Sequence, residues 1–244
     1  MSLKRRTGSI SGPLAPRIFD LSGGLRWHLR ALMSRKVHWA PFRHALTEFL
    51  LRWRPPQNKL LLIGPSAGWC IPDAALARFG EIHAVDIDVC AELLFRRVHA
   101  KPLREGCNLT WAVSDFFHDP QSVLAAYPDH AILLCNVAGQ RRFHHAHWAH
   151  AEAEISALQA LLATRHWASF HDLLSGSCSD NLPPLSLPAR GQGADVLRQY
   201  GLAGEWFDHL TAALLPENAP RMILPWRFKR DRLHLVEAGW SEPV

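Results

Sequence analysis

Leu60-Leu61-Leu62-Ile63-Gly64-Pro65-Ser66-Ala67-Gly68 decides how the rest of the chain is read. From Lys59 to Ile63 the run is short, continuous and apolar, and it stops at a glycine. That texture predicts a strand buried on both faces, since a half-exposed strand would alternate. The turn that follows is built of small residues, which let a backbone approach a ligand closely. A helical stretch is expected over Pro72 to Arg78, so its amino terminus would add unpaired N–H groups beside that turn.

Outward from this unit the pattern repeats. Ile82 to Val85 ends at Asp86, and a helix is expected around Ala91 to His99. Leu109 to Val113 ends at Ser114-Asp115, followed by a short helix over Gln121 to Ala126. Ala131 to Cys135 ends at Asn136, and a long helix is expected over His144 to Thr164, with Trp148, Ala151, Ile155, Leu158 and Leu162 on one face. Trp167 to Phe170 ends at His171-Asp172. Strand and helix in alternation imply parallel strands joined by right-handed helical crossovers. The stretch from Leu173 to Gly193, rich in Ser, Gly and Pro, reads as a long loop, and residues 194–214 read as helical. Met222 to Phe228 and Leu233 to Glu237, around the polar Lys229-Arg230-Asp231, read as an antiparallel hairpin.

Before Lys59 the texture differs. Residues 1–16 are rich in Ser, Gly, Pro and Arg and are expected to form a flexible tail. Residues 17–56 read as a basic helical cap segment. Leu25, Leu29, Leu32 and Met33 recur at helical spacing, as do Phe42, Ala45, Leu46, Phe49, Leu50 and Trp53, with Pro41 at the start and Pro55-Pro56 at the stop. The fold expected is α/β: a doubly wound, Rossmann-like, mostly parallel sheet over residues 57–244, with an antiparallel C-terminal hairpin and an N-terminal helical cap.

The chain has 244 residues, 48% of them hydrophobic and 20% charged, a globular composition. No apolar run approaches the roughly 18 to 20 residues that a membrane-spanning helix needs. The five cysteines, Cys70, Cys90, Cys107, Cys135 and Cys178, contain no Cys-x-x-Cys pair, which argues against a disulfide framework or a zinc ribbon and for a cytoplasmic location. The net charge of +5 is uneven: residues 1–54 carry 11 Lys and Arg against 2 Asp and Glu, the remainder 16 against 20. A basic block interleaved with Trp27, Trp39 and Trp53 can attract nucleic acid. A solvated helix face explains it as well, and nucleic acid is not the favoured partner.

In a doubly wound sheet ligands bind beyond the carboxyl ends of the strands, so the candidate binding residues are those at the strand ends. Gly64, Ser66 and Gly68 form the first turn. Asp86, with Asp88 as an alternate, can accept both hydroxyls of a ribose; a capping role before the next helix is the rival reading. Asp115 can accept from an exocyclic amine while Phe116 covers an adenine face, or Asp115 can cap a helix over core phenylalanines. Asn136 can position a ligand or make a turn. His171 and Asp172 are the candidate catalytic pair, a histidine beside a carboxylate, with a helix-entry pair as the alternative. His144, His147 and His150 recur every three residues, a spacing that drifts around a helix, and no metal site is expected there or elsewhere.

The run Leu60 to Gly68, the segment Ala84-Val85-Asp86-Ile87-Asp88 and Ser114-Asp115-Phe116 are similar to successive motifs of class I S-adenosylmethionine-dependent methyltransferases. The resemblance covers roughly Lys59 to Glu237. It implies S-adenosylmethionine as cofactor, Asp86 as the ribose acid, Asp115 as the adenine-side acid, and methyl transfer to an acceptor that the sequence does not identify. The family's first motif has an acid two positions before its first glycine and three glycines spaced by one residue. Here those positions hold Leu62, Gly64, Ser66 and Gly68, so the acid and the central glycine are both replaced. Those replacements keep a non-catalytic binding or scaffold protein of the same fold in view. An NAD(P)-dependent oxidoreductase would also place an acid after the second strand, but the Gly-x-Gly-x-x-Gly spacing is absent.

Overall fold

A computed structural model describes residues 3–4, 24–145, 147–187 and 193–243. The chain divides into two compact units, residues 13–135 and residues 136–244 with 1–12. The expected tail over residues 1–16 lies, Leu3 and Lys4 apart, outside the described residues, as do residues 17–23 of the expected cap and 188–192 of the expected loop. The first described element is a two-residue strand, β1 (Leu3–Lys4).

In the unit of residues 13–135, helices α1 (Gly24–Ser34) and α2 (Ala40–Arg52) precede β2 (Lys59–Ile63), α3 (Asp73–Leu76), β3 (Glu81–Asp86), α4 (Ala91–Val98), α5 (Ala100–Arg104), β4 (Asn108–Val113), α6 (Pro120–Ala126) and β5 (Ala131–Cys135). The strands lie in the order β4-β3-β2-β5 and every pair is parallel. Leu62 stands beside Ala84 on one side and Leu133 on the other. The order reverses at β2: the chain first winds outward to β3 and β4, then returns to place β5 on the other side of β2. The residues of Leu60–Ile63 and Ala131–Cys135 are buried throughout, as central strands covered on both faces require. The edge strand β4 exposes Asn108, Thr110 and Val113.

Helix α2 forms as its stripe predicts, with Phe42, Leu46, Phe49 and Leu50 buried and Pro41 in the first turn. Its last carbonyls are not left to water. The Arg78 guanidinium donates to Trp53 O (2.7 Å) and Leu50 O (3.0 Å), so a side chain from the next crossover closes the helix. Helix α1 differs from expectation. Leu25, Leu29, Leu32 and Met33 are between 50% and 67% exposed, while Gly24, His28 and Ala31 are buried. The polar His28 turns inward because its ring is held by Asp88 and Trp69. Two directed hydrogen bonds thus set which face of α1 is buried, against the apolar pattern.

The second unit holds α7 (Trp148–Leu162), β6 (Trp167–Ser177), β7 (Leu185–Leu187), α8 (Gly193–Gln199), β8 (Trp206–Asp208), β9 (Arg221–Lys229) and β10 (Arg232–Ser241). Here β6, β10, β9 and β7 pair in that order, all antiparallel, and β8 joins β6 antiparallel and β1 parallel. The expected hairpin is β9–β10. The strand expected to end at His171-Asp172 instead runs on to Ser177, because β10 pairs with it along its whole length. The first part of the expected Leu173 to Gly193 loop is therefore strand, and Leu185–Leu187 is strand again. The helix expected over 194–214 is the short α8, followed by β8. Helix α7 starts at Trp148 rather than His144, since residues 138–143 form a 3-10 turn and His147 is the cap residue. Ala151, Ile155, Leu158 and Leu162 are buried as expected, but Trp148 is exposed. The core of this unit gathers Leu173, Leu174, Val196, Leu197, Trp206 and Leu235. The fold as a whole is mixed α/β and Rossmann-like in its parallel sheet, with more antiparallel structure at the C-terminal end than one hairpin.

Candidate functional site

The turn after β2 holds three residues in the left-handed region: Gly64 at φ 63°, Ser66 at φ 50° and Gly68 at φ 66°. Glycine adopts this conformation freely and serine does so at a cost. Gly64 N donates to Val85 O (2.8 Å), which ties the turn to the adjacent strand end. At Gly68 the backbone passes close under α4. A Cβ there would stand 2.2 Å from His99 Nε2 and 2.8 Å from Phe95 Cε2. Burial holds the His99 ring below its ordinary pKa, although Asp73, 2.6 Å from Nδ1, pulls the other way.

Asp86 ends β3 with its carboxylate aimed back at this turn. Oδ2 accepts from Ser66 N (2.6 Å) and Oδ1 from Asp88 N (2.8 Å). Burial raises its pKa to about 6, against the pull of those two amides. Among the described residues Ser66 Oγ, a buried atom, has no hydrogen-bond partner, an orphaned polar atom in a turn whose amide is bonded to a carboxylate. Asp88 is bound differently. Its Oδ2 accepts from Gly24 N (2.7 Å) and His28 Nε2 (3.0 Å), and its Oδ1 from Cys90 N (2.9 Å). Burial opposes its charge, but these donors, His28 first, outweigh it and hold the carboxyl below its usual range. The indole of Trp69 donates to His28 Nδ1 (3.0 Å), which leaves Nε2 as the nitrogen that donates to Asp88. Asp88 thus anchors α1, and of the two candidate acids Asp86 is the one aimed at the glycine turn.

The end of β4 lies abreast of β3, because Ser114 N donates to Asp86 O (3.0 Å). The strand ends bearing Gly64, Asp86 and Asp115 are therefore neighbours. Asp115 Oδ1 accepts from Phe117 N (2.9 Å) and caps the 3-10 turn Phe116–His118. Phe116 is buried in the core, packed edge-on against Phe117 (5.3 Å between centroids). The structure thus gives Asp115 its capping role and places the Phe116 ring inside the fold.

In the second unit, Asn136 is left-handed at φ 57° and bonded reciprocally to Asp172. Its Oδ1 accepts from Asp172 N (2.8 Å) and its Nδ2 donates to Asp172 Oδ2 (3.3 Å). His171 and Asp172 are consecutive residues of one strand, so their side chains point to opposite faces. The expectation that they form a catalytic pair is corrected accordingly. His171 is fully buried between Ser169 Oγ (2.9 Å) and Glu237 Oε2 (3.2 Å), and Glu237 is bonded in turn to Arg221 (3.2 Å). That is a closed, internally satisfied network.

Asp172 meets two histidines that the sequence reading missed. His234 Nδ1 lies 2.9 Å from Oδ1, and His209 completes a group whose ligand atoms are all within 4.8 Å of one another. Burial opposes the charge on Asp172, but His234 outweighs it and holds the pKa down at about 2. His234 interrupts the apolar run Leu233 to Val236, which was the available signal; nothing local marks His209. The His144 to His150 series does not converge. His147 and His150 are exposed, with ring centroids 5.7 Å apart, and His145 is bound to Glu154 (2.9 Å), which Arg141 grips with two bonds of 2.8 Å.

No protein-family model matches the chain, and no curated protein matches it. Among solved structures it is similar to magnesium protoporphyrin IX methyltransferase from Synechocystis PCC 6803 with bound S-adenosylmethionine: 13% identity, 92% of this chain and 88% of that chain covered, TM-score 0.44. It is similar to the N-methyltransferase NodS from Bradyrhizobium japonicum in complex with S-adenosyl-L-homocysteine, at 12% identity over 86% of this chain and 98% of that one, TM-score 0.43. A zinc-dependent alcohol dehydrogenase from Rhodobacter sphaeroides aligns over 54% of this chain and 46% of its own, with 16% identity and a TM-score of 0.36.

Proposed function

We propose that the chain binds S-adenosylmethionine at the Gly64 to Gly68 turn and transfers its methyl group to an acceptor not yet identified. One observation carries the proposal: the Asp86 carboxylate, buried at a strand end, faces a left-handed turn in which Ser66 Oγ has no partner. A vicinal diol suits this position. Its hydroxyls can donate to the remaining lone pairs of a carboxylate that burial disfavours, and Ser66 Oγ can join that network. The residues present fit the adenosine half of the cofactor. The methionine half has less: Leu62 is fully buried where the resembled family carries an acid.

When bound, the cofactor supplies an activated sulfonium methyl group. The chain's part is to hold cofactor and acceptor in line and to exclude water. Asp86 and the turn orient the ribose, and the Asp115 carboxylate takes the adenine amine.

Calorimetric titration with S-adenosylmethionine and S-adenosylhomocysteine tests this. Saturable binding of either, lost in Asp86→Ala, supports the reading. A folded protein that binds neither ends it.

A second reading is favoured by one specific contact. Trp69 is buried beside the turn and bonded to His28, with the Arg35 guanidinium 5.1 Å from its ring. A turn closed in this way suits a non-catalytic binding protein of the same fold. Binding of neither ligand to the parent chain, but recovery in His28→Ala or Trp69→Ala, would favour it.

A further inference from the structure

We propose that Asp172, His209 and His234 form a binding site for one divalent first-row transition-metal ion of the zinc or iron(II) type. The site does not depend on the methyl-transfer reading. Its ligands come from β6, the end of β8 and β10, elements brought together by the antiparallel sheet. Two imidazoles and one carboxylate form the donor set that such ions select, and three protein ligands leave positions open for water or an exogenous oxygen.

The spacing suits coordination. Metal–ligand bonds of about 2.0–2.2 Å put neighbouring ligand atoms roughly 3.0–3.5 Å apart. The separation of Asp172 Oδ1 and His234 Nδ1 is 2.9 Å, so an ion could take the place of the hydrogen bond between them. No pair of ligand atoms in the group is more than 4.8 Å apart, so His209 reaches the ion with a small side-chain shift.

The surrounding groups already orient these ligands. His209 Nδ1 donates to Gly139 O (3.1 Å), which leaves the Nε2 lone pair as the ligating atom. Its Nε2 now accepts from Ser175 Oγ (3.1 Å), a hydroxyl that can rotate away. Asn136 holds the far oxygen of Asp172, and Thr211 Oγ1 donates to the Asp172 carbonyl (2.8 Å). Arg232 is the one cation in this shell among the described contacts. It donates to Ser175 Oγ (3.1 Å), one hydroxyl removed from the ligand atoms, and its charge works against the ion. Asp172 and His209 are buried while His234 is 15% exposed in its side chain, so the open positions face the His234 side. Among the described residues this is the group of His, Cys, Asp and Glu whose ligand atoms converge.

The test uses the full chain, stripped with a chelator and titrated with Co²⁺ as a spectroscopic probe. The expected result is a visible d–d absorption that saturates at one equivalent and is displaced by Zn²⁺. His234→Gln, at a partly exposed position, and Asp172→Asn are each expected to weaken Co²⁺ binding at least tenfold with unchanged far-UV circular dichroism. The double variant His147→Gln/His150→Gln is expected to keep the site. Should Asp172→Asn fail to fold, His234→Gln decides alone. Absence of a one-equivalent signal, a signal unchanged in His234→Gln, or one lost only in the His147/His150 variant overturns the proposal.

Discussion

The amide of Ser66 donates to Asp86 Oδ2 across 2.6 Å, joining the turn after one strand to the end of the next. Burial still raises the pKa of this carboxyl to about 6, against the pull of the amide. A ligand whose hydroxyls donate to Asp86 favours the ionised form. Affinity for S-adenosylhomocysteine is therefore expected to be full above pH 7 and to fall as pH drops through about 6, with proton release on binding near that pH. Isothermal titration in buffers of different ionisation enthalpy measures both. Asp86→Ala should weaken binding at least about tenfold, as expected for loss of one charged hydrogen-bonding partner.

Ser66 occupies a left-handed position with a buried, unpartnered hydroxyl. Ser66→Gly removes the strain and the orphaned oxygen together. It is expected to raise stability by about 1 kcal/mol in chemical denaturation. A loss of stability would show that the hydroxyl has a partner in solution.

Gly68→Ala meets two obstacles at once, a positive φ and the His99 ring 2.2 Å from the added carbon. A loss of about 2–4 kcal/mol is expected from urea unfolding. The double variant Gly68→Ala/His99→Ala should recover part of it, since the ring is the nearer obstacle. Absence of any recovery would place the cost in the backbone and the Phe95 ring.

Asp172 carries the opposite pH signature to Asp86. Its pKa in the folded chain is about 2, below the ordinary 3.8. A carboxyl depressed by folding stabilises the fold above its unfolded pKa, and that contribution disappears as pH falls from about 4 through 2. The difference corresponds to about 2 kcal/mol. Unfolding curves at pH 2 to 7 should show this segment of acid sensitivity in the parent chain and its reduction in Asp172→Asn.

Arg78→Met keeps most of the aliphatic bulk but removes both donors to the end of α2. A cost of about 1.5–3 kcal/mol is expected, the range for hydrogen bonds to a charged group. Amide hydrogen exchange should localise the loss to the last turn of α2. Uniform exchange across the unit would instead mean that the cap is not a local fastener.

The parallel sheet was legible because its evidence is local. Each strand announces itself by an apolar run, and the strand ends are marked by Gly64, Asp86, Asp115 and Asn136 at or just beyond them. The hairpin β9–β10 was legible for the same reason. What the sequence concealed depends on distant partners. His28 turns inward only because Asp88 and Trp69 are there to receive it, so the side of α1 that carries Leu25, Leu29, Leu32 and Met33 is the exposed one. The strand β6 outruns its apolar start because β10 continues to pair with it. Register with β10, including a bulge between Leu235 and Val236, brings His234 to Asp172 from 62 residues away. Adjacency in sequence made His171 the natural partner of Asp172, and the pleat of the strand separates them.

The Arg78 clamp also bears on the order in which the chain can be assembled during synthesis. The carbonyls of Leu50 and Trp53 are completed by a side chain 28 and 25 residues further on. Until that arginine has left the ribosome, the end of α2 can bond only to water. Synthesis proceeds from the amino terminus, so α2 emerges early yet is finished late. Its closing step coincides with arrival of the residues that carry the chain from the first parallel strand to the second.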